Sequence, residues 1–192
     1  MADMIFQALP VIIPDFGNLS TTELGYLDGV TTTPAASKLA LHDASGFLSW
    51  RRPVVEDGAA VVLTAAQSGA LCVFDKVDGA LFTLPAPAIG LWYDFIVVAT
   101  VTSNSMKVIT DAGTTFIIGT IDMVDSDTTF THTAASGNGS THVAITMAAA
   151  STNATGGILG SRFSLVCRTA TTWAVYGQVI HAGNVATPFA TS

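Results

Sequence analysis

The chain has 192 residues, of which 49% are hydrophobic and only 11% charged, with a mean hydropathy of +0.53; soluble domains usually carry about a quarter charged residues. That apolar content excludes intrinsic disorder, and the length suffices for a hydrophobic core without disulfide or metal staples. Fourteen acidic residues against seven basic ones give a formal net charge of −7, and Arg51-Arg52 is the one adjacent basic pair. A phosphate backbone is repelled by such a surface, so no nucleic-acid partner is expected.

Low charge also raises the question of a membrane. The strongest apolar run, Ile89 to Val101, is broken by Asp94 and falls short of the roughly 18 uninterrupted apolar residues a spanning helix requires. Met1 to Phe6 lack the basic start and cleavage site of a secretory leader, and Pro10 and Pro14 interrupt any apolar helix there. Neither a membrane partner nor export through a leader is expected. Cys72 and Cys167 show no Cys-x-x-Cys spacing for zinc or redox chemistry and read as apolar core residues.

Residues 1–57 contain Pro10, Pro14, Pro34 and Pro53 and sustain neither a helical nor a strand period, the pattern of an extended N-terminal arm and lead-in. Residues 58–192 read as one all-β domain. Candidate strands are Ala60–Thr64, Ala70–Asp75, Ala80–Leu84, Tyr93–Val101, Met106–Thr110, Thr115–Val124 (two strands if the chain breaks at Gly119), Thr128–Thr133, His142–Met147, Arg162–Arg168 and Thr172–Ile180. Turn residues separate them at intervals of roughly 8 to 12, the spacing of an antiparallel β-sandwich or jelly-roll-like domain.

Period-two alternation assigns faces. Phe163, Leu165 and Cys167 point to the core with Arg162 and Arg168 opposite. Val143, Ile145 and Met147 point inward, with His142 and Thr146 outside. Trp173, Val175 and Val179 line one face of the last strand, Tyr176 and Gln178 the other. The run Phe95 to Ala99 does not alternate, so both of its faces need cover, from the arm or from a neighbouring copy.

Chemistry-bearing motifs are sparse. There is no Gly-x-Ser-x-Gly elbow, no phosphate-cradling loop and no His-Glu-x-x-His. His42, His132, His142 and His181 are dispersed. Asp122, Asp125 and Asp127 form the best candidate cation site, although Asp125-Ser126-Asp127 between two strand-like runs reads more simply as a turn. The three Asn-x-Ser/Thr sequons are chance products without a leader, and Trp50, Trp92 and Trp173 read as core or interface anchors rather than a sugar platform. Glycoside hydrolysis needs paired carboxylates, whereas Glu23 and Glu56, the only glutamates, both fall in the lead-in. No catalytic residue, cofactor or metal is expected. An exterior of Thr, Ser, Ala and Gly instead suits burial in a permanent assembly.

One resemblance is specific. Leu19-Ser-Thr-Thr-Glu-Leu-Gly-Tyr-Leu-Asp-Gly-Val-Thr31, followed by Pro34-Ala-Ala-Ser-Lys-Leu-Ala-Leu41, resembles a phrase of tailed-bacteriophage fibre and other virion surface proteins, where it typically recurs in elongated homotrimers; here it occurs once. The stretch Val61 to Ser192 resembles small phage virion domains through Leu63-Thr64, Ser68-Gly69-Ala70, Phe82 to Pro87, Gly90, Tyr93 and Phe95. The resemblance implies a capsid decoration (cement) protein on the outer surface of the phage head, made in the host cytoplasm, with itself and the major capsid protein as partners. On this view Leu24, Leu27 and Val30 meet at a three-fold interface. Ile5, Phe6, Leu9, Val11 and Ile12 form a capsid-binding arm, whose burial at about 25 cal/mol per Å² contributes several kcal/mol before ordering costs. The alternative is a short tail fibre or receptor-binding tip with exposed loops around Gly137–Gly139 and Asn153.

Overall fold

The computed structural model describes residues 12–13, 17–18, 52–126, 132–148 and 153–192. The chain divides into two units, Met1–Arg51 and Arg52–Ser192. In the first, strand β1 (Ile12–Ile13) pairs antiparallel with β2 (Gly17–Asn18), placing Ile12 opposite Asn18 and Ile13 opposite Gly17.

The second unit is all-β. Its strands are β3 (Val54–Glu56), β4 (Val61–Val62), β5 (Leu71–Phe74), β6 (Ala80–Thr83), β7 (Trp92–Val97), β8 (Ser105–Ile109), β9 (Phe116–Asp125), β10 (His132–Asn138), β11 (Ala144–Ala148), β12 (Arg162–Thr169), β13 (Thr172–His181) and β14 (Phe189–Ala190). They form a seven-stranded sheet ordered β10-β9-β13-β12-β7-β5-β3 and a five-stranded sheet ordered β14-β11-β8-β6-β4. The sandwich is therefore the architecture that turn spacing predicts. Its first strand, β3, begins at Val54 and pairs with β5, so the sheet takes in residues on the N-terminal side of the expected boundary at 57/58.

Strand direction differs from the expected antiparallel pattern: both sheets are mixed. From β3 to β8 the chain alternates between the sheets, laying β3, β5 and β7 in the large one and β4, β6 and β8 in the small one. Each excursion to the opposite sheet brings the chain back running in its former direction. Consequently β3/β5, β5/β7, β4/β6 and β6/β8 pair in parallel, and the crossover that a parallel pair requires is supplied by a strand of the other layer rather than by a helix. Short local connections in the second half give the antiparallel pairs β9/β10 and β12/β13.

Cross-strand register builds the core as two facing ladders. In the large sheet Val55, Cys72, Phe95, Phe163 and Gly177 are successive partners; in the small sheet Val61, Phe82, Val108, Ile145 and Phe189 are. The ladders meet through aromatic edges, with Phe74 and Phe82 ring centroids 5.0 Å apart, Phe82 and Phe95 5.7 Å apart, and Phe95 stacked on Phe163 at 5.1 Å. Such pairs add specificity to the area they bury. Trp173 and Tyr93 fill a neighbouring layer at 5.9 Å. Buried Tyr93 donates its hydroxyl to the Thr64 carbonyl at 2.8 Å, and burial pushes its pKa up to about 12.

Two glycines make this register possible. Gly177 has φ +149°, and a Cβ there would lie 2.4 Å from the Phe163 Cα; Gly119 has φ +121°, and a Cβ there would lie 2.2 Å from the Val175 carbonyl oxygen. Both mark close backbone approach inside a strand. Through Gly119 the Thr115–Val124 segment continues as one strand, not two.

Candidate functional site

The outward face of the large sheet holds an open concavity of about 640 Å³, lined chiefly by β5, β7, β9, β12 and β13. Because strand neighbours alternate, the residues between the core positions of these strands all project to this side. One row of Cα partners runs Leu71, Asp94, Ser164, Tyr176, Thr120; the next runs Val73, Ile96, Arg162, Gln178, Asp122. The first row is tightly organised. Arg52 Nη2 contacts Asp94 Oδ2 at 2.6 Å and donates to the Ala70 carbonyl at 3.0 Å, while Arg52 Nε donates to the Gly69 carbonyl at 3.0 Å. The other Asp94 oxygen accepts from Ser164 Oγ. The guanidinium also lies 5.1 Å from the centroid of the Trp92 ring, within cation–π range.

The second row differs: among the described residues, the side chains of Arg162, Gln178 and Asp122 make no hydrogen bond or ion pair. Ile96, from the non-alternating run, is half-buried on this same face rather than covered by a further described layer. Tyr176 is 58% exposed and Trp92 40% exposed. Trp173 is buried in the core, Trp92 lies at the surface, and Trp50 lies outside the described residues.

The three aspartates of the candidate cation site do not converge. Asp122 faces out and is exposed, while Asp125, three residues along the same strand, faces in and is buried; an odd offset on a strand reverses the face. Asp127 lies outside the described residues, and among those described no group of three or more His, Cys, Asp or Glu side chains comes together. His142 stacks on Phe189 at 5.6 Å, His132 is exposed, and His181 is buried beside Asp125 in strand register. His42 lies outside the described residues. Both thiols are buried and free; burial pushes Cys72 up to about 12 and raises Cys167 as well, which suppresses the thiolate form needed for reactivity.

Of the residues expected to form a capsid-binding arm, Ile12 falls in β1, while Ile5, Phe6, Leu9 and Val11 lie outside the described residues, as do the trimer-interface candidates Leu24, Leu27 and Val30. Residues of the concavity went unrecognised in the sequence because they come from separate strands. The signal is the outward polar set of each strand, Arg162 and Ser164 on β12, Tyr176 and Gln178 on β13, which the short β12/β13 turn sets side by side; register with β7 and β9, which adds Asp94 and Asp122, has no local signature.

Comparison of the chain with family models, with curated proteins and with solved structures gave no match.

Proposed function

We propose that the chain is a structural virion protein of a tailed phage, a head decoration protein that binds and stabilises the shell as a homotrimer through its N-terminal arm. The observation that supports assembly most directly is the end of the sandwich where both sheets stop. There β3 and β4 have no further strand beside them among the described residues, and they expose Val54 at 56% and Val62 at 67%. Pro53, Ala59, Ala60, Ala65 and Ala66, near them in sequence, are exposed too, with Glu56 and Arg52 the exposed ions of the same stretch among the described residues. At three and two residues these strands offer little unpaired backbone; it is the charge-poor apolar surface they carry that is suited to burial against another chain.

The phage assignment itself rests on the resemblance of Leu19–Leu41 and Val61–Ser192 to virion surface proteins. A receptor-binding tail tip is the second reading, favoured by the concavity with its exposed Tyr176. Quantifying the chain against the major coat protein in purified particles separates the two: hundreds of copies per particle are expected for decoration, whereas tens or fewer would move the protein to the tail. Deleting residues 1–18 should leave trimers that no longer bind heads; undiminished head binding would refute the role of the arm.

A further inference from the structure

The second row of the outer sheet face is a set of planar polar groups with unused hydrogen-bonding capacity. Arg162 is the Cα partner of Gln178, and Gln178 that of Asp122, so the three stand side by side on adjacent strands about 5 Å apart. A guanidinium offers five N–H donors in one plane, an amide two donors and an acceptor, and a carboxylate two acceptor oxygens. In sequence Gln178 and the exposed Tyr176 are two apart on β13, so the phenol ring belongs to the same face. Leu71, Ile96 and Gly177 supply apolar lining.

Charge narrows the ligand. Arg52 and Asp94 satisfy one another, which leaves, among the described residues, one free cation, Arg162, and one free anion, Asp122, in the concavity. A phosphate or polyanion would meet Asp122 and a net charge of −7; a polycation would meet Arg162. An uncharged molecule whose groups both donate and accept satisfies all three side chains together. If it also has a flat C–H face, it can lie on an exposed aromatic ring. A pyranose ring has both properties.

We propose that this concavity binds a neutral hexopyranose-containing saccharide, with Arg162, Gln178 and Asp122 bonding its hydroxyls and Tyr176 stacking on its C–H face. Ordinary solvated surface also carries unpaired polar side chains. The distinguishing features here are three unlike planar groups in register, a concave surface and an adjacent exposed ring. The inference goes beyond the assembly reading and does not depend on where in a particle the protein sits. An open site of this kind holds one sugar weakly, at about millimolar Kd, and repetition of the site in an oligomer raises the avidity.

The test is an NMR titration of the isotopically labelled full chain with maltotriose, lactose and mannobiose, and with sialyllactose as an anionic comparison. Saturable shifts are expected with at least one neutral probe, centred on Asp122, Arg162, Tyr176 and Gln178. Tyr176→Ala and Gln178→Ala should each weaken binding by about tenfold or more while leaving thermal unfolding unchanged. The proposal is overturned by absence of a saturable shift with all three neutral probes, by shifts centred elsewhere, by binding of sialyllactose alone, or by binding that both substitutions leave intact. None of these outcomes bears on the particle copy number, so failure here and failure of the assembly reading are distinguishable.

Discussion

Arg52 Nη2 bridges the Asp94 carboxylate at 2.6 Å and the Ala70 carbonyl at 3.0 Å, joining the first residues of the sandwich to its central strands. With Nε on the Gly69 carbonyl and the guanidinium against Trp92, one side chain fixes the lead into β3. Arg52→Ala should destabilise the domain by about 1–2 kcal/mol, more than an exposed ion pair alone is worth. Arg52→Lys should recover only part of this, because an ammonium cannot reproduce the planar fork. Urea unfolding of the three proteins measures both effects; equal stability of the wild type and Arg52→Ala would show that the clamp is incidental.

Gly177→Ala places a Cβ against the Phe163 backbone, at 2.4 Å from its Cα. No rotamer change relieves a clash with main chain. The substitution should cost about 3 kcal/mol or more, or abolish soluble expression, and Gly119→Ala should behave alike. Gly90→Ala serves as the comparison for φ strain without a clash, since Gly90 also has positive φ but a Cβ there meets nothing within 4 Å. Its cost should be clearly smaller by chemical denaturation.

Phe95 sits where both core ladders meet, in ring contact with Phe74, Phe82 and Phe163. Phe95→Ala should lower stability by about 3–5 kcal/mol and Phe95→Leu by distinctly less, because the first leaves the larger void. A result in which the two cannot be told apart by differential scanning calorimetry would mean that the aromatic cluster is not the centre of the core.

Asp57 is buried, accepts backbone N–H bonds from Asp75 and Lys76 at 3.0 and 3.1 Å, and has its pKa pushed up from 3.8 to about 6, first by burial and then by the Asp75 carboxyl. A carboxyl whose folded pKa is raised binds its proton more tightly in the native state. Its contribution is therefore fully present below the unfolded pKa and is lost as pH rises through about 6. Asp57→Asn keeps an acceptor for the two N–H groups and removes the titration. The variant should show a flatter dependence of unfolding free energy between about pH 4 and 7 than the wild type; identical slopes would exclude Asp57 as their source.

Much of the sandwich is legible in the residues themselves. Inward Phe163, Leu165, Cys167, Trp173, Val175 and Val179 follow from period-two alternation, and all are buried. Strands β3 and β14, of three and two residues, are too short for a period to appear, and β10 extends to Asn138 across Gly137, which reads locally as a turn residue. Parallel pairing is invisible to alternation, since side-chain period is the same in both directions. The concavity is hidden for a related reason. Arg162 and Gln178 are brought together by the β12/β13 hairpin, but Asp94 and Asp122 join them only through register with strands distant in the chain.

A polypeptide with so few ionic side chains, exposing Val54 and Val62 on strands that are sheet edges among the described residues, is expected to cover its surface by association. Sedimentation equilibrium of the full chain over micromolar to millimolar concentrations tests it directly. A single species of three chains across the range is the expected result; a monomer throughout would exclude self-association as the cover for this surface.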